Sequence, residues 1–352
     1  MISLRGKLPH PIGLHLGIDV ATLVQLTDTG NNCRVHAMAQ GALPVNESAA
    51  PEDQDRVVAA ALKKLVGDYD FKGREVVTCL ASDELFVQNV RLPELPPEEV
   101  EKVVRWEAEE RLPYSADDAE IRHLLAGRVR QDTHVKQEVI LLACRREVVE
   151  RHVGVIEQAG LVPVGVDAEP CAIVRSFRQG DGAQDAESRT AYFNIGQIAT
   201  TIIFTEADQI LFLKYVATGG RHLDEAVARN LDIPMEQAVR MRSGVMVAET
   251  LDAENDVHRT VIESIRPSLE DIASEIELCL RYYKVTFRGK PLERIVLTGP
   301  DAAPWLAEYL GDQLQMQCFL GNPLQTVSGI ADQRDRPGRW TTALGLSMKS
   351  AC

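Results

Sequence analysis

Short apolar runs of strand length alternate with apolar positions at helical spacing along the whole chain, a pattern that predicts an α/β architecture. Residues 14–26 form an apolar run with small residues at its middle, which predicts two strands joined by a tight turn. Val57, Val58, Ala61, Leu62 and Leu65 share one face of a helix over 54–66, and 75–80 has strand character. A second block, 91–167, opens on the proline-rich Arg91-Leu-Pro-Glu-Leu-Pro-Pro97. Pro97 suits the first turn of a helix over 98–112, and Glu98, Glu99 and Glu101 complement its N-terminal dipole. Strands over 121–130 and 138–144, a helix over 147–159 stopped by Gly160, a strand over 161–167 and a short helix over 171–177 follow.

The polar, glycine-bearing stretch 178–189 is the best linker candidate. After it, 191–204 repeats the strand, turn, strand pattern, and a strand over 210–216 leads into Gly219-Gly220 and a helix over 221–231. An acidic, irregular stretch spans 249–256. Ile262, Ile265, Leu269, Ile272, Ile276, Cys279 and Tyr283 recur at spacings of 3 and 4, the seam of a core helix in which Pro267 marks a start or a kink. A strand over 293–298 runs into Gly299-Pro300, then a helix over 304–314, and a short helix over 341–348 closes the pattern.

At 352 residues the chain has the length of about two domains, enough to bury a core without disulfides or metals. A formal charge of −14 argues against broad nucleic-acid binding and against adsorption to an anionic membrane. The seven cysteines are scattered, with no C-x-x-C pair, so reduced thiols and a reducing, cytoplasmic compartment are expected. No apolar run approaches a membrane span. Arg5 and Lys7 precede a stretch broken by His15 and Asp19, so no signal peptide is expected, nor a lipidation box or amphipathic membrane helix at the C-terminal end. The histidines show no ligand spacing, so no metal site is expected, and His123, His134, His152 and His222 are expected on the surface. Walker A, G-x-G-x-x-G and G-x-S-x-G motifs are absent from the sequence.

The two halves begin alike: Gly17-Ile-Asp-Val-Ala-Thr22 matches Phe193-Asn-Ile-Gly-Gln197 in character. Two such turns, one per domain, can grip nucleotide phosphates through backbone N–H groups and hydroxyls, with strand-end acids holding hydrated Mg²⁺ or orienting a water. Along the chain follow Val90-Arg-Leu-Pro93, Trp106-Glu-Ala108, Leu112-Pro-Tyr114, Ala159-Gly-Leu161 and Val166-Asp-Ala-Glu-Pro170. Asn194-Ile-Gly196 with Thr200, Gly219-Gly220, Glu275-Ile276, Leu297-Thr-Gly299 and Ala343-Leu-Gly-Leu346 complete the set. In this order and spacing the chain resembles the actin-like ATPase superfamily, and within it the PilM-type proteins of type IV pilus assembly, with FtsA and the cytoplasmic domain of the type II secretion L protein as relatives.

The resemblance implies a duplicated, ribonuclease H-like α/β fold of two actin-like domains with a small inserted α+β subdomain. It implies a first subdomain over 12–90 with 168–180, the insertion over 91–167, a linker over 181–189, a second subdomain over 190–230 with 291–349, and a helical subdomain over 231–290. It also implies nucleotide-contacting positions: Asp19, Ala21 and Thr22; Asn194, Gly196, Gln197 and Thr200; Gly219 and Gly220; Glu275; Thr298 and Gly299. Glu169 would face the γ-phosphate, and Asp19, Glu169 and Asn194 are the catalytic candidates. The sequence departs from the family pattern at each phosphate or adenosine segment. Asp-x-Gly-Ser/Thr with a following basic residue becomes Asp19-Val-Ala-Thr22 with none, in a turn that looks about two residues short. Asp-x-Gly becomes Asn194-Ile-Gly196, and a Gly pair becomes Gly299-Pro300, which lacks one N–H. Weak or absent nucleotide binding and no hydrolysis are therefore expected, with ATP and Mg²⁺ as cofactors only if the site works.

For Glu169 a helix-dipole role, for Gly219-Gly220 a packing turn, and for Glu275 and Arg281 solvated helix positions stand beside the nucleotide readings. The resemblance implies a scaffold that binds the N-terminal cytoplasmic tail of a PilN-type bitopic inner-membrane protein, alongside other platform proteins, and reaches the membrane only through them. Arg91, Leu92, Trp106 and Tyr114 are candidates for that contact, with core packing the alternative for Trp106. A working assembly ATPase and an FtsA-like filament former are the rival readings.

Overall fold

The structure, a computed structural model, describes residues 9–29, 33–45, 48–131, 134–178, 188–252, 254–287, 291–330 and 336–349. Most of the expected linker therefore lies outside the described residues, as do Arg5, Lys7 and Cys352. In chain order the elements are β1 (Ile12–Leu16), β2 (Val20–Asp28), β3 (Cys33–Ala42), α1 (Pro51–Gly67), β4 (Glu75–Cys79), β5 (Phe86–Pro93) and α2 (Pro97–Arg111). Then come β6 (Ala119–Gln131), β7 (His134–Arg145), α3 (Arg146–Gln158), β8 (Val162–Asp167) and α4 (Glu169–Ser176). The remainder are β9 (Arg189–Ile195), β10 (Thr200–Glu206), β11 (Gln209–Val216), α5 (Gly220–Leu231), α6 (Met235–Met246), α7 (Asp256–Thr286), β12 (Arg294–Thr298), α8 (Pro304–Leu314), β13 (Cys318–Leu320) and α9 (Thr341–Ser347).

The chain forms two compact units. The first comprises Met1–Ala81, Arg146–Ala183 and Asn322–Cys352, and the second Ser82–Arg145 and Gln184–Gly321. The first unit holds a sheet of order β3-β2-β1-β4-β8, and the second a sheet of order β11-β10-β9-β12-β13. In each, three strands run as an antiparallel meander and two add in parallel. The same order twice is the expected duplicated α/β fold. The central strands β2 and β10 are buried on both faces, each with six consecutive buried residues, polar Thr22 and Gln25 among those of β2 and three threonines among those of β10. The third sheet, β5-β7-β6, is antiparallel and carries α2 on one face through Val100, Val104 and Ala108.

Three placements differ from the sequence expectation. The inserted sheet begins at Phe86 and ends at Arg145, so α3 and β8 fall outside it. They join the first unit because β8 pairs in parallel with β4, and Val155 and Ile156 of α3 share a core with Ile12 and Leu62. Helix α9, expected in the second half, lies in the first: Ala343 and Leu344 pack with Val24 and Leu26, and Leu346 with Ala172. Gly345 makes this possible, since a Cβ there would stand 1.8 Å from the Ala172 carbonyl oxygen. Helices α6 and α7, expected as a separate subdomain, share one core with β9, β10 and β11. Within it Phe204 stacks on Phe212 and meets Tyr283 edge-on, each at 5.1 Å. Asn255 caps α7 by accepting from Val257 N–H, which starts the helix well before Pro267 and fixes that proline in its interior.

Among the described residues no helix is long and apolar enough to cross a membrane. The six cysteines among the described residues are free thiols, and burial pushes Cys171 and Cys279 up to about 11.

Candidate functional site

The second unit brings most of the expected nucleotide segments together. Strand β12 lies beside β9 with Thr298 opposite Asn194. The chain then turns at Gly299 with φ +106°, a left-handed conformation that suits glycine. A Cβ at Gly299 would stand 2.4 Å from Ile195 O, so the turn is clasped against the end of β9, and Asp301 N–H donates to the same oxygen at 3.1 Å. The β9–β10 turn caps α5: Gly220 N–H donates to Gly196 O and Arg221 N–H to Gln197 O, each at 2.9 Å. Gly219 N–H donates to Nδ1 of His222, which is partly buried rather than on the surface. Thr200, fully buried, donates its hydroxyl to Thr218 O at 2.8 Å. These three N–H groups of the α5 N-terminus and the Thr200 hydroxyl are thus bonded within the protein.

Beneath these turns lies a buried ion cluster that the sequence did not disclose. Arg242 of α6 grips Asp224 of α5 at 2.6 and 2.9 Å and Asp301 at 2.7 Å. All three side chains are under a tenth exposed. Burial opposes the Arg242 charge, but Asp301 and Asp224 outweigh it and raise its pKa. A Cβ on Gly220 would stand 2.1 Å from the Asp301 carboxylate, so this cluster sets the position of the α5 N-terminus. The only sequence signals were an Asp beside the apolar stripe of α5 and an Asp just after Gly299-Pro300.

The first unit holds Asp19, Ala21, Thr22 and Glu169. Its β1–β2 hairpin corrects the register expected for the internal repeat. Leu16 pairs with Ala21 and Gly17 N–H donates to Val20 O; Ile195 pairs with Thr200 and Gly196 N–H donates to Ala199 O. His15-Leu-Gly17 therefore matches Asn194-Ile-Gly196, and Asp19, exposed in the turn, matches Ile198. The two turns are equal in length. The position for which the resemblance implies an acid carries His15. Burial, and then neighbouring His152, push His15 down to about 4. His152, expected on the surface, bonds Thr78 Oγ1 at 2.9 Å and is also pushed to about 4 by burial. Ala21 and Thr22 are buried, and Gln40 donates to Thr22 Oγ1. Glu169 is buried at the first position of α4.

Glu275 stands apart from these groups, paired with Lys214 of β11 at 2.6 Å, and Arg281 is exposed beside Glu277. Of the partner candidates, Leu92 is buried in the core under α2 and offers no surface. Arg91 donates to the buried Glu138 at 2.9 Å and to Thr286 of α7 at 2.9 Å, and Tyr282 also donates to Glu138. Tyr114 lies under the Arg145 guanidinium, 4.6 Å from the ring centre. Trp106, for which core packing was the alternative, is 57 % exposed on α2. Beside the Arg91 network, a groove of about 420 Å³ runs between the sheet-edge strands β5 and β11. Val87, Gln88, Asn89, Phe212, Lys214 and Tyr282 are among its lining residues. Asn89 Nδ2 bridges to Leu213 O at 2.9 Å.

The family model described as type IV pilus assembly protein PilM matches residues 13–351. Among solved structures the chain is similar to the PilM-PilN type IV pilus biogenesis complex, with TM-score 0.80, 23% identity, and 96% of this chain and 98% of that chain covered. It is also similar to the ethanolamine utilization protein EutJ from Carboxydothermus hydrogenoformans, with TM-score 0.56, 16% identity, and 99% and 92% covered. The duplicated fold is the actin-like one.

Proposed function

Because the chain belongs to the family of the type IV pilus assembly protein PilM, we propose that it is a scaffold of a pilus or type II secretion assembly platform that works without hydrolysing nucleotide. The observation that carries the second half is the capping of α5: Gly220 and Arg221 give their N–H groups to Gly196 and Gln197 carbonyls, not to an anion. His15 and Asn194 stand where the resemblance implies acids, so neither supplies the negative charge that anchors Mg²⁺. These residues do not fit ATP–Mg²⁺.

The partner in this reading is the N-terminal cytoplasmic tail of a PilN-type bitopic membrane protein, which would hold the scaffold at the cytoplasmic face of the inner membrane alongside other platform proteins. A similar solved structure bears the name of a PilM-PilN complex. The groove between β5 and β11 suits an extended segment, because edge strands offer main-chain partners while Tyr282, Phe212 and Lys214 offer side-chain contacts. The test is calorimetry of the pure chain with a synthetic tail peptide, with and without MgATP. Equal affinity in both conditions, lost in Tyr282→Ala, is the expected result. Micromolar ATP binding with phosphate release would overturn the nucleotide-independent reading, and an unaffected Tyr282→Ala would move the partner elsewhere.

A further inference from the structure

The end of the β1–β2 hairpin opposite its turn gathers three side chains that the proposed function does not use. Asp28 and Cys33 face each other across the β2–β3 ladder. His10, just before β1, places Nε2 2.8 Å from Asp28 Oδ1, and the Cys33 thiol points to the same oxygen at 3.9 Å. The nitrogen, oxygen and sulfur donors all lie within 4.8 Å of one another.

The imidazole is held in one orientation. Its backbone N–H donates to Leu26 O at 2.8 Å, and its carbonyl accepts from Gln25 Nε2 at 3.0 Å. Gln25 is itself buried and bonded to the Lys72 backbone through both N–H and C=O. The ring Nδ1 lies 3.0 Å from Ser347 O. Ser347 is locked in turn, its hydroxyl accepting from Leu26 N–H and donating to Pro11 O.

This arrangement asks for a cation. A carbonyl only accepts, so Nδ1 carries the ring proton. The Nε2 contact with a carboxylate, which also only accepts, is met by a positive charge between the two groups: a second ring proton, which makes an ion pair, or a metal ion, to which the thiol supplies a third donor. One imidazole nitrogen, one carboxylate oxygen and one sulfur form a donor set suited to zinc, whose bonds of about 2.0–2.3 Å put neighbouring ligand atoms roughly 3.4 Å apart. The Nδ1–H to carbonyl bond is the outer contact that such a ligand uses to fix its tautomer.

We propose that His10, Asp28 and Cys33 bind one Zn²⁺ ion, with its fourth position open to water or an external donor. The side chains of His10 and Asp28 are 19% and 43% exposed, which gives the ion a path from solvent. The ion would clip the segment before β1 to the far end of the β2–β3 hairpin and, through Ser347, to the end of α9.

The test uses the untagged full chain, stripped by dialysis against a chelator and titrated with Co²⁺, then with Zn²⁺ against a chromogenic chelator. One equivalent of Co²⁺ should bind with a thiolate charge-transfer band. Cys33→Ser should abolish that band, and His10→Ala should weaken Zn²⁺ at least 10-fold, while Cys318→Ser changes neither. Thermal unfolding of each stripped variant reports whether it folds, and added Zn²⁺ should raise the midpoint of the wild-type chain alone. A band that survives Cys33→Ser, or no stoichiometric binding to the wild-type chain, would overturn the site.

Discussion

Replacing Arg242 with Met tests whether the buried cluster organises the second unit. The guanidinium bridges two carboxylates, and its own side chain is 5% exposed. Met keeps much of the volume but leaves Asp224 and Asp301 buried beside each other without their shared cation. Removing one partner of a buried ion pair costs about 3–5 kcal/mol, against a typical total stability of about 5–15 kcal/mol. Urea unfolding followed by tryptophan fluorescence suits the measurement. Trp305 of α8 is buried and donates to Val245 O at the end of α6, one turn from Arg242. Trp106→Phe and Trp340→Phe would isolate its signal. Adding Asp224→Asn and Asp301→Asn to Arg242→Met removes the stranded charge and should recover more than half of the loss. A loss below about 1 kcal/mol for Arg242→Met would refute the reasoning, as would a triple variant no better than the single one.

Three further outcomes follow from the geometry. His15 and His152 are held near 4 against 6.5 in the unfolded chain, so between pH 6.5 and 4 the unfolded state binds more protons and acidification destabilises the fold. The loss should reach a few kcal/mol by pH 4, measured as the shift of the urea midpoint from pH 7. His15→Gln with His152→Gln should flatten it, and equal slopes would count against the buried pair. Gly345→Ala drives a Cβ into the Ala172 backbone and should cost about 3 kcal/mol or more by thermal unfolding, because backbone cannot yield as a side chain can. Trp106→Ala should move stability by no more than about 0.5 kcal/mol, whereas Leu92→Ala should cost about 2–5 kcal/mol, in keeping with their opposite burial.

The alternation of strands and helices was legible because periodicity is local. The α7 seam is the clearest case: Ile265, Leu269, Ile272, Ile276, Cys279 and Tyr283 are all buried. Which sheet receives α3, β8 or α9 was not legible, since that depends on pairing between segments far apart in the chain. The hairpin register escaped for a related reason. Gly17-Ile-Asp19 imitates the expected motif, and only the pairing of Leu16 with Ala21 shows that His15 takes the acid's place. The ion cluster joins residues 18 and 59 positions apart, and no spacing rule links Arg242 to Asp224 and Asp301. Trp106 was hidden for a simpler cause: composition favours burying a tryptophan, and only the helix face it occupies decides otherwise.

The interleaving of the two units along the chain sets an order of events during synthesis. Strand β1 leaves the ribosome before the other described elements, yet its sheet takes its third parallel member, β8, only after β5, α2, β6 and β7 have emerged. Helix α9, which covers β1 and β2, arrives last of the described elements. The second unit ends at Gly321 and so can close while the first still lacks a wall of its core. Until α9 emerges the nascent first sheet therefore keeps an apolar face uncovered, a surface of the kind that chaperones shield.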